Sequence, residues 1–127
     1  TRLVSSSSVR CAQTLQPYAA QAGLRLHTRD SLTEESFAQA PEKALQQLTK
    51  LLDRGERAAL CSHGPVLPTL INALCGRVRD HHPRAAWLCE ELRTAADSGM
   101  QKGEVLVCHV AGRGPAARVV ALERIST

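Results

Sequence analysis

Aromatic side chains are almost missing from this chain, which has one Trp, one Tyr and one Phe among its 127 residues. Single-stranded nucleic acids are held largely by stacking on such rings, so no nucleic-acid partner is expected. No apolar run approaches the ~18 residues that a membrane-spanning helix needs. No secretory signal pattern opens the sequence, and a cytoplasmic protein with no membrane partner is expected. Cys-x-x-Cys is lacking too. The five cysteines, Cys11, Cys61, Cys75, Cys89 and Cys108, are widely spaced and odd in number. That pattern argues against a structural zinc site and fits reduced thiols in the cytosol. Cys61 and Cys108 lie in apolar runs and read as small buried hydrophobes. Charge forms no block: sixteen Lys+Arg and twelve Asp+Glu are interspersed and give +4, a mild bias towards anionic small molecules. Gly-x-Ser-x-Gly does not occur, which leaves a serine nucleophile unsupported.

A globular balance remains, with 43% hydrophobic and 22% charged residues, enough to bury one core. No repeat, low-complexity linker or boundary divides the chain, so residues 1–127 read as a single domain. Leu3-Val4 reads as the end of a strand, and Ser5–Ser8 as the turn after it. Helical spacing from Val9 to Ala22 predicts a buried stripe of Val9, Ala12, Leu15, Ala19 and Ala22, capped by Ser7 or Ser8 and ended by Gly23. Pro17 inside it predicts a kink or break. Leu24–His27 alternates as a short strand, and a polar loop holding Leu32–Phe37 follows. Pro41 opens a helix with Ala44, Leu45, Leu48, Leu51 and Leu52 on one face and Gly55 at its end. A strand over Arg57–Ser62 and a helix over Pro65–Leu74 come next, then a helix over Pro83–Ala96. Glu104–Val110 and Arg118–Glu123 predict an antiparallel hairpin. The fold class expected is a three-layer α/β/α domain with a mostly parallel sheet and a C-terminal strand pair.

Three positions in this pattern could carry chemistry. His63 ends the run Ala58–Ser62 and precedes Gly64-Pro65, so it stands at the carboxyl end of a strand where a helix starts. In open α/β sheets ligands sit at that edge, and helix N-termini there face anions. The same spacing also fits a histidine that only caps a helix or fills a turn. Arg10 follows the first strand and opens the first helix, where its donors could fork onto an anion; a solvated surface arginine is the other reading. Glu34 and Glu35 lie after the second strand. A loop carboxylate serves as general acid where a partly dry site tunes it, and otherwise it is merely solvated. Strand-to-helix turns can bring Arg10, His63 and Glu34 to one sheet edge, a sensible pocket for a phosphoryl group. His81-His82 lacks partners at ligand spacing and reads as an exposed turn. His27 and His109 read as structural.

The segments Leu3–Thr14, Leu32–Glu34 and Cys61–Gly64, in that order, resemble the histidine phosphatase (phosphoglycerate-mutase-like) superfamily. Arg10-Cys11-Ala12-Gln13-Thr14, Leu32–Phe37, Ser62–Pro68 and Lys102-Gly103-Glu104 are most similar to the C-terminal domain of MutT-like proteins, in which a Nudix domain precedes a histidine phosphatase domain. The resemblance implies that Arg10 binds phosphoryl oxygens and that His63 stabilises the transferring group. It makes Glu34 the proton donor to the leaving group, with Glu35 the weaker choice, and the Gly64 N–H a further donor. It implies a phosphorylated nucleotide as substrate, a nucleoside diphosphate passing to the monophosphate. No metal is implied at this domain's own site, and magnesium only for a Nudix domain.

One departure matters. The family's nucleophilic histidine stands in an Arg-His-Gly, and neither that tripeptide nor Arg-His-Ala occurs here. With Thr1 already at the strand before Arg10, the expectation is a domain incomplete at its N-terminus. The first strand, the nucleophile and the first helix would then lie outside the chain. Alone it is expected to be inactive and marginally stable, with strand edges and apolar surface exposed. Two other readings stay open: a non-catalytic phosphate-binding module, and a phosphoglycerate-mutase-type or SixA-like phosphoprotein phosphatase.

Overall fold

Leu3 and Val4 are both buried although they point to opposite faces of their strand, which marks β1 (Arg2–Ser6) as a strand covered on both sides. The computed structural model describes residues 1–126 and places β1 in the middle of a three-stranded parallel sheet. β2 (Leu26–Arg29) lies on one side of it and β3 (Ala58–Cys61) on the other. Leu3 stands opposite Leu26 and Ala59, and Ser6 opposite Arg29. The chain steps one way from β1 to β2 and back the other way from β2 to β3. Right-handed crossovers therefore put the connecting helices on opposite faces. α1 (Val9–Ala22) covers one face, and α3 (Pro41–Arg54) covers the other.

α1 has the expected bounds and a different buried seam. Cys11 and Ala19 are buried, Ala12 and Leu15 are half-buried, and Val9 stands 68% exposed with Ala22 also in solvent. The seam follows the i, i+4 row through 11, 15 and 19, because Cys11 is the residue that meets the β3 turn. The helix runs through Pro17 without a break, its ring on the exposed side. No serine side chain caps it; the Ser8 carbonyl accepts from the N–H groups of Cys11 and Ala12 instead.

The expected loop after β2 is more regular than its polarity suggests. A 3-10 turn over Asp30–Leu32 leads into a short helix, α2 (Glu34–Gln39). Thr33 caps α2 by accepting the Ser36 N–H at 3.2 Å, and Glu34 and Glu35 in the first turn complement the helix dipole. α3 ends at Gly55, whose φ of 68° needs no Cβ, and a Cβ there would meet the Arg113 Cβ at 2.7 Å.

α4 (Leu67–Cys75) begins two residues later than Pro65, since the N–H groups of Val66 and Leu67 both turn back to the His63 carbonyl. α5 (Ala85–Ser98) follows, and β4 (Val105–Ala111) pairs with β5 (Arg118–Ile125) in the expected antiparallel hairpin. The result is the expected α/β architecture: helices on both faces of a parallel sheet, with a C-terminal strand pair. Two hydrophobic clusters fill it. Val4, Leu32, Ala44, Val66 and Leu70 pack between the sheet, α3 and α4. Ile71, Leu74, Leu88, Leu92, Ala95 and Val119 pack between α4, α5 and the hairpin. No helix among the described residues is long and apolar enough to cross a membrane.

Candidate functional site

Parallel strands deliver their carboxyl ends to one edge, and each functional candidate is carried there by the turn that follows a strand. β1 ends at Ser6 and hands the chain to α1, so Arg10 sits in that helix's first turn. β3 ends at Cys61, and Ser62 and His63 follow before α4. β2 leads through the 3-10 turn to Thr33, and capping by Thr33 fixes Glu34 as the first residue of α2.

The three side chains meet. Arg10 Nη2 lies 3.1 Å from His63 Nδ1 and 3.6 Å from Glu34 Oε1. Arg10 is thus shared between an imidazole and a carboxylate, and its side chain is 69% exposed. The ion pair is open to water and contributes little to stability. It does keep a forked donor at the mouth of the site, where an incoming anion can take it over. Glu35 is exposed and outside this group, and Gly64 is an exposed turn residue beside it, with open space where a Cβ would project.

His63 is only 5% exposed. Its Nε2 lies 2.8 Å from Ser6 Oγ, and the Cys11 Sγ stands 3.7 Å from Nδ1 and 3.6 Å from Nε2. Cys11 donates onward to the Ser62 carbonyl at 3.5 Å. The Ser62 hydroxyl donates to the Leu32 carbonyl at 2.7 Å, which ties the histidine turn to the segment carrying Glu34. Ser6, Cys11 and Ser62 were not among the residues singled out by sequence. A signal for Ser6 existed: it follows Arg2 and Val4 at strand period, on the face that His63 approaches. Reading Ser5–Ser8 as a turn hid it.

The thiols behave differently from nucleophiles. Burial, then the neighbouring Cys11, pushes the Cys61 thiol up to about 11. Burial alone pushes Cys108 up to about 11, and burial followed by Cys89 raises Cys75. Such thiols stay protonated at neutral pH and are poor attackers. His81 and His82 lie in a turn, where His82 Nδ1 accepts the Arg84 N–H. No cluster of three or more His, Cys, Asp or Glu suited to a metal occurs among the described residues.

Folding also gathers charges that are scattered in sequence. Arg2, Arg29, Lys50 and Arg54, with Asp53, line a cleft of about 280 Å3 between the sheet and α3. None of Arg10, Glu34 or His63 lines this cleft, so it lies apart from the candidate site.

No protein-family model matches this chain. It is similar to a curated protein of Mycolicibacterium smegmatis (strain ATCC 700084 / mc(2)155) named 8-oxo-(d)GTP phosphatase. The two are 33% identical over 79 residues, which make up 62% of this chain and 24% of that protein. The match thus spans about a quarter of the relative's length.

Proposed function

We propose that this chain carries the phosphoryl-binding and proton-delivering part of a nucleotide phosphohydrolase site of the histidine phosphatase type. The observation that carries this reading is the meeting of Arg10, His63 and Glu34 at the carboxyl edge of a parallel sheet, within 3.1 and 3.6 Å of one guanidinium. Similarity to a protein named for acting on 8-oxo-(d)GTP supports a nucleotide phosphate as substrate.

In this mechanism the Arg10 guanidinium leaves Glu34 and His63 for two phosphoryl oxygens, since bidentate donation to an oxyanion is stronger than a half-solvated ion pair. His63 donates a hydrogen bond to a third oxygen, and the Gly64 N–H adds another donor. Released from Arg10, Glu34 takes a proton from solvent, and as the bond to the leaving oxygen breaks it hands that oxygen this proton. Bond formation is a separate matter. None of the histidines here stands in an Arg-His-Gly, so none is assigned as the phosphoryl acceptor. In this reading the acceptor belongs to the longer protein, next to a Nudix domain whose product is the nucleoside diphosphate.

Calorimetric titration of the chain with inorganic phosphate and with a nucleoside diphosphate tests the binding half. Arg10→Ala is expected to weaken both by at least about tenfold, the size of a hydrogen bond to a charged group. Equal affinities would overturn the assignment. The catalytic half is tested by joining the chain to its natural upstream segment and measuring phosphate release from nucleoside diphosphates. Unchanged release after His63→Ala would sink the role of His63, and binding without any release would favour a non-catalytic phosphate-binding module.

A further inference from the structure

We propose that Ser6 is the positioning residue of this site: it holds His63 so that Nδ1, and not Nε2, is the nitrogen presented to the anion. A guanidinium has five N–H donors and no acceptor. Arg10 Nη2 at 3.1 Å from Nδ1 therefore requires Nδ1 to offer its lone pair. A neutral imidazole with a bare Nδ1 carries its proton on Nε2, and Nε2 lies 2.8 Å from Ser6 Oγ in a buried contact. The Nε2–H thus donates to Ser6, whose oxygen also accepts the Ser8 N–H at 3.2 Å, filling both lone pairs.

The surroundings hold this arrangement. Ser6 is fully buried as the last residue of β1, flanked by Arg29 of β2 in register. The Cys11 sulfur packs nearly equidistant from both ring nitrogens and is itself tied to the Ser62 carbonyl. Turning the ring over would put carbon where both hydrogen bonds are made. Arg10, in contrast, is mostly exposed and free to leave Nδ1 for an oxyanion. Once it leaves, Nδ1 must carry a proton to donate to that anion. A serine hydroxyl serves either pattern, because it accepts from an Nε2–H or turns its own O–H towards a bare Nε2. Alanine does neither and would leave a buried nitrogen unpaired.

The anion named here rests on the phosphate-site reading, whereas the tautomer of the free site does not. Nitrogen-15 NMR of the histidine-labelled chain at alkaline pH, with the His63 signals identified by their loss in His63→Gln, reads the tautomer directly. The expected result is a proton on Nε2 and a bare Nδ1; a proton on Nδ1 in the free chain overturns the proposal without any need of a Ser6 variant. With saturating inorganic phosphate, a proton is expected on Nδ1. Ser6→Ala is expected to mix the tautomers and weaken phosphate binding about tenfold, the effect of one unpaired buried group, while Ser6→Thr keeps both at the native level. Native tautomer and native affinity in Ser6→Ala would overturn it. A chain that shows Nε2–H yet binds no phosphate supports the role of Ser6 and overturns the function proposed above.

Discussion

The cluster between the sheet, α3 and α4 and the cluster between α4, α5 and the hairpin share one helix and one side chain, Leu48, which packs against both. They differ in what is buried around them. Ser5, Ser6, Thr33 and His63, the buried polar residues, all belong to the segments around the parallel sheet. Around α5 and the hairpin the buried residues are apolar, with Leu88 and Leu92 fully enclosed, and the one covered charge, the Glu104 side chain, is paired with Arg124 of β5. A buried polar group is tolerated only where a partner meets it: Ser5 donates to the Ser6 carbonyl, Thr33 donates to the Asp30 carbonyl, and Ser6 and His63, at the ends of two different strands, meet each other. The buried polar residues, the candidate site among them, and the larger apolar cluster thus lie in separate halves joined through α4.

The largest expected effect breaks the apolar half. Leu92→Ala should lower unfolding free energy by about 3 kcal/mol, as for a fully buried leucine, measured by urea denaturation. Phosphate affinity of the still-folded variant should stay native; a parallel loss of affinity would show that the halves are not separate. Next in size, Ser62→Ala removes the bond to the Leu32 carbonyl and should cost about 1 kcal/mol. Faster amide exchange confined to Leu32–Phe37, read by mass spectrometry, is its signature. Arg10→Ala is the mirror of Leu92→Ala: its ion pair is exposed, so stability should change by less than about 0.5 kcal/mol while anion binding falls.

The smallest effect concerns His27 on the edge strand β2. Partial burial, then the charges of Arg2, Arg25, Arg29 and Arg54, hold its pKa below 6.5. The unfolded chain then binds more protons than the folded one, so stability falls as pH drops below about 6.5 towards the folded value. His27→Gln should flatten that part of the stability-versus-pH curve and leave the curve above it unchanged.

Much of this division is legible in the sequence, for stated reasons. Arg10, Glu34 and His63 could be found because each follows a strand end in the sequence and the pair Gly64-Pro65 punctuates the turn at His63, whereas the Thr33 cap that fixes Glu34 on α2 was hidden in a stretch that read as a loop. The hairpin and α3 were equally plain from alternation and from the leucine stripe between Pro41 and Gly55. Ser6 and Cys11 were not, because their importance depends on which residue arrives opposite them from more than fifty positions away. The seam of α1 was misplaced for a related reason: periodicity gives a face, and only the packed sheet decides its phase. The basic cleft beside α3 is likewise invisible to composition, since its cations come from three separate elements.

The distances along the chain that build the site have a kinetic consequence. Ser6 and His63 are 57 positions apart, Arg10 and His63 53, and Leu32 and Ser62 30. Each of these contacts closes a long loop, and parallel pairing offers no hairpin shortcut. Contacts of such high order form late and together. The pocket should therefore appear in refolding only after α3 has docked and β3 has joined the sheet, well behind the local pairing of β4 with β5. Phosphate binding during refolding would then report the last step of assembly, and a chain that binds phosphate is one in which β1, β2 and β3 are already paired.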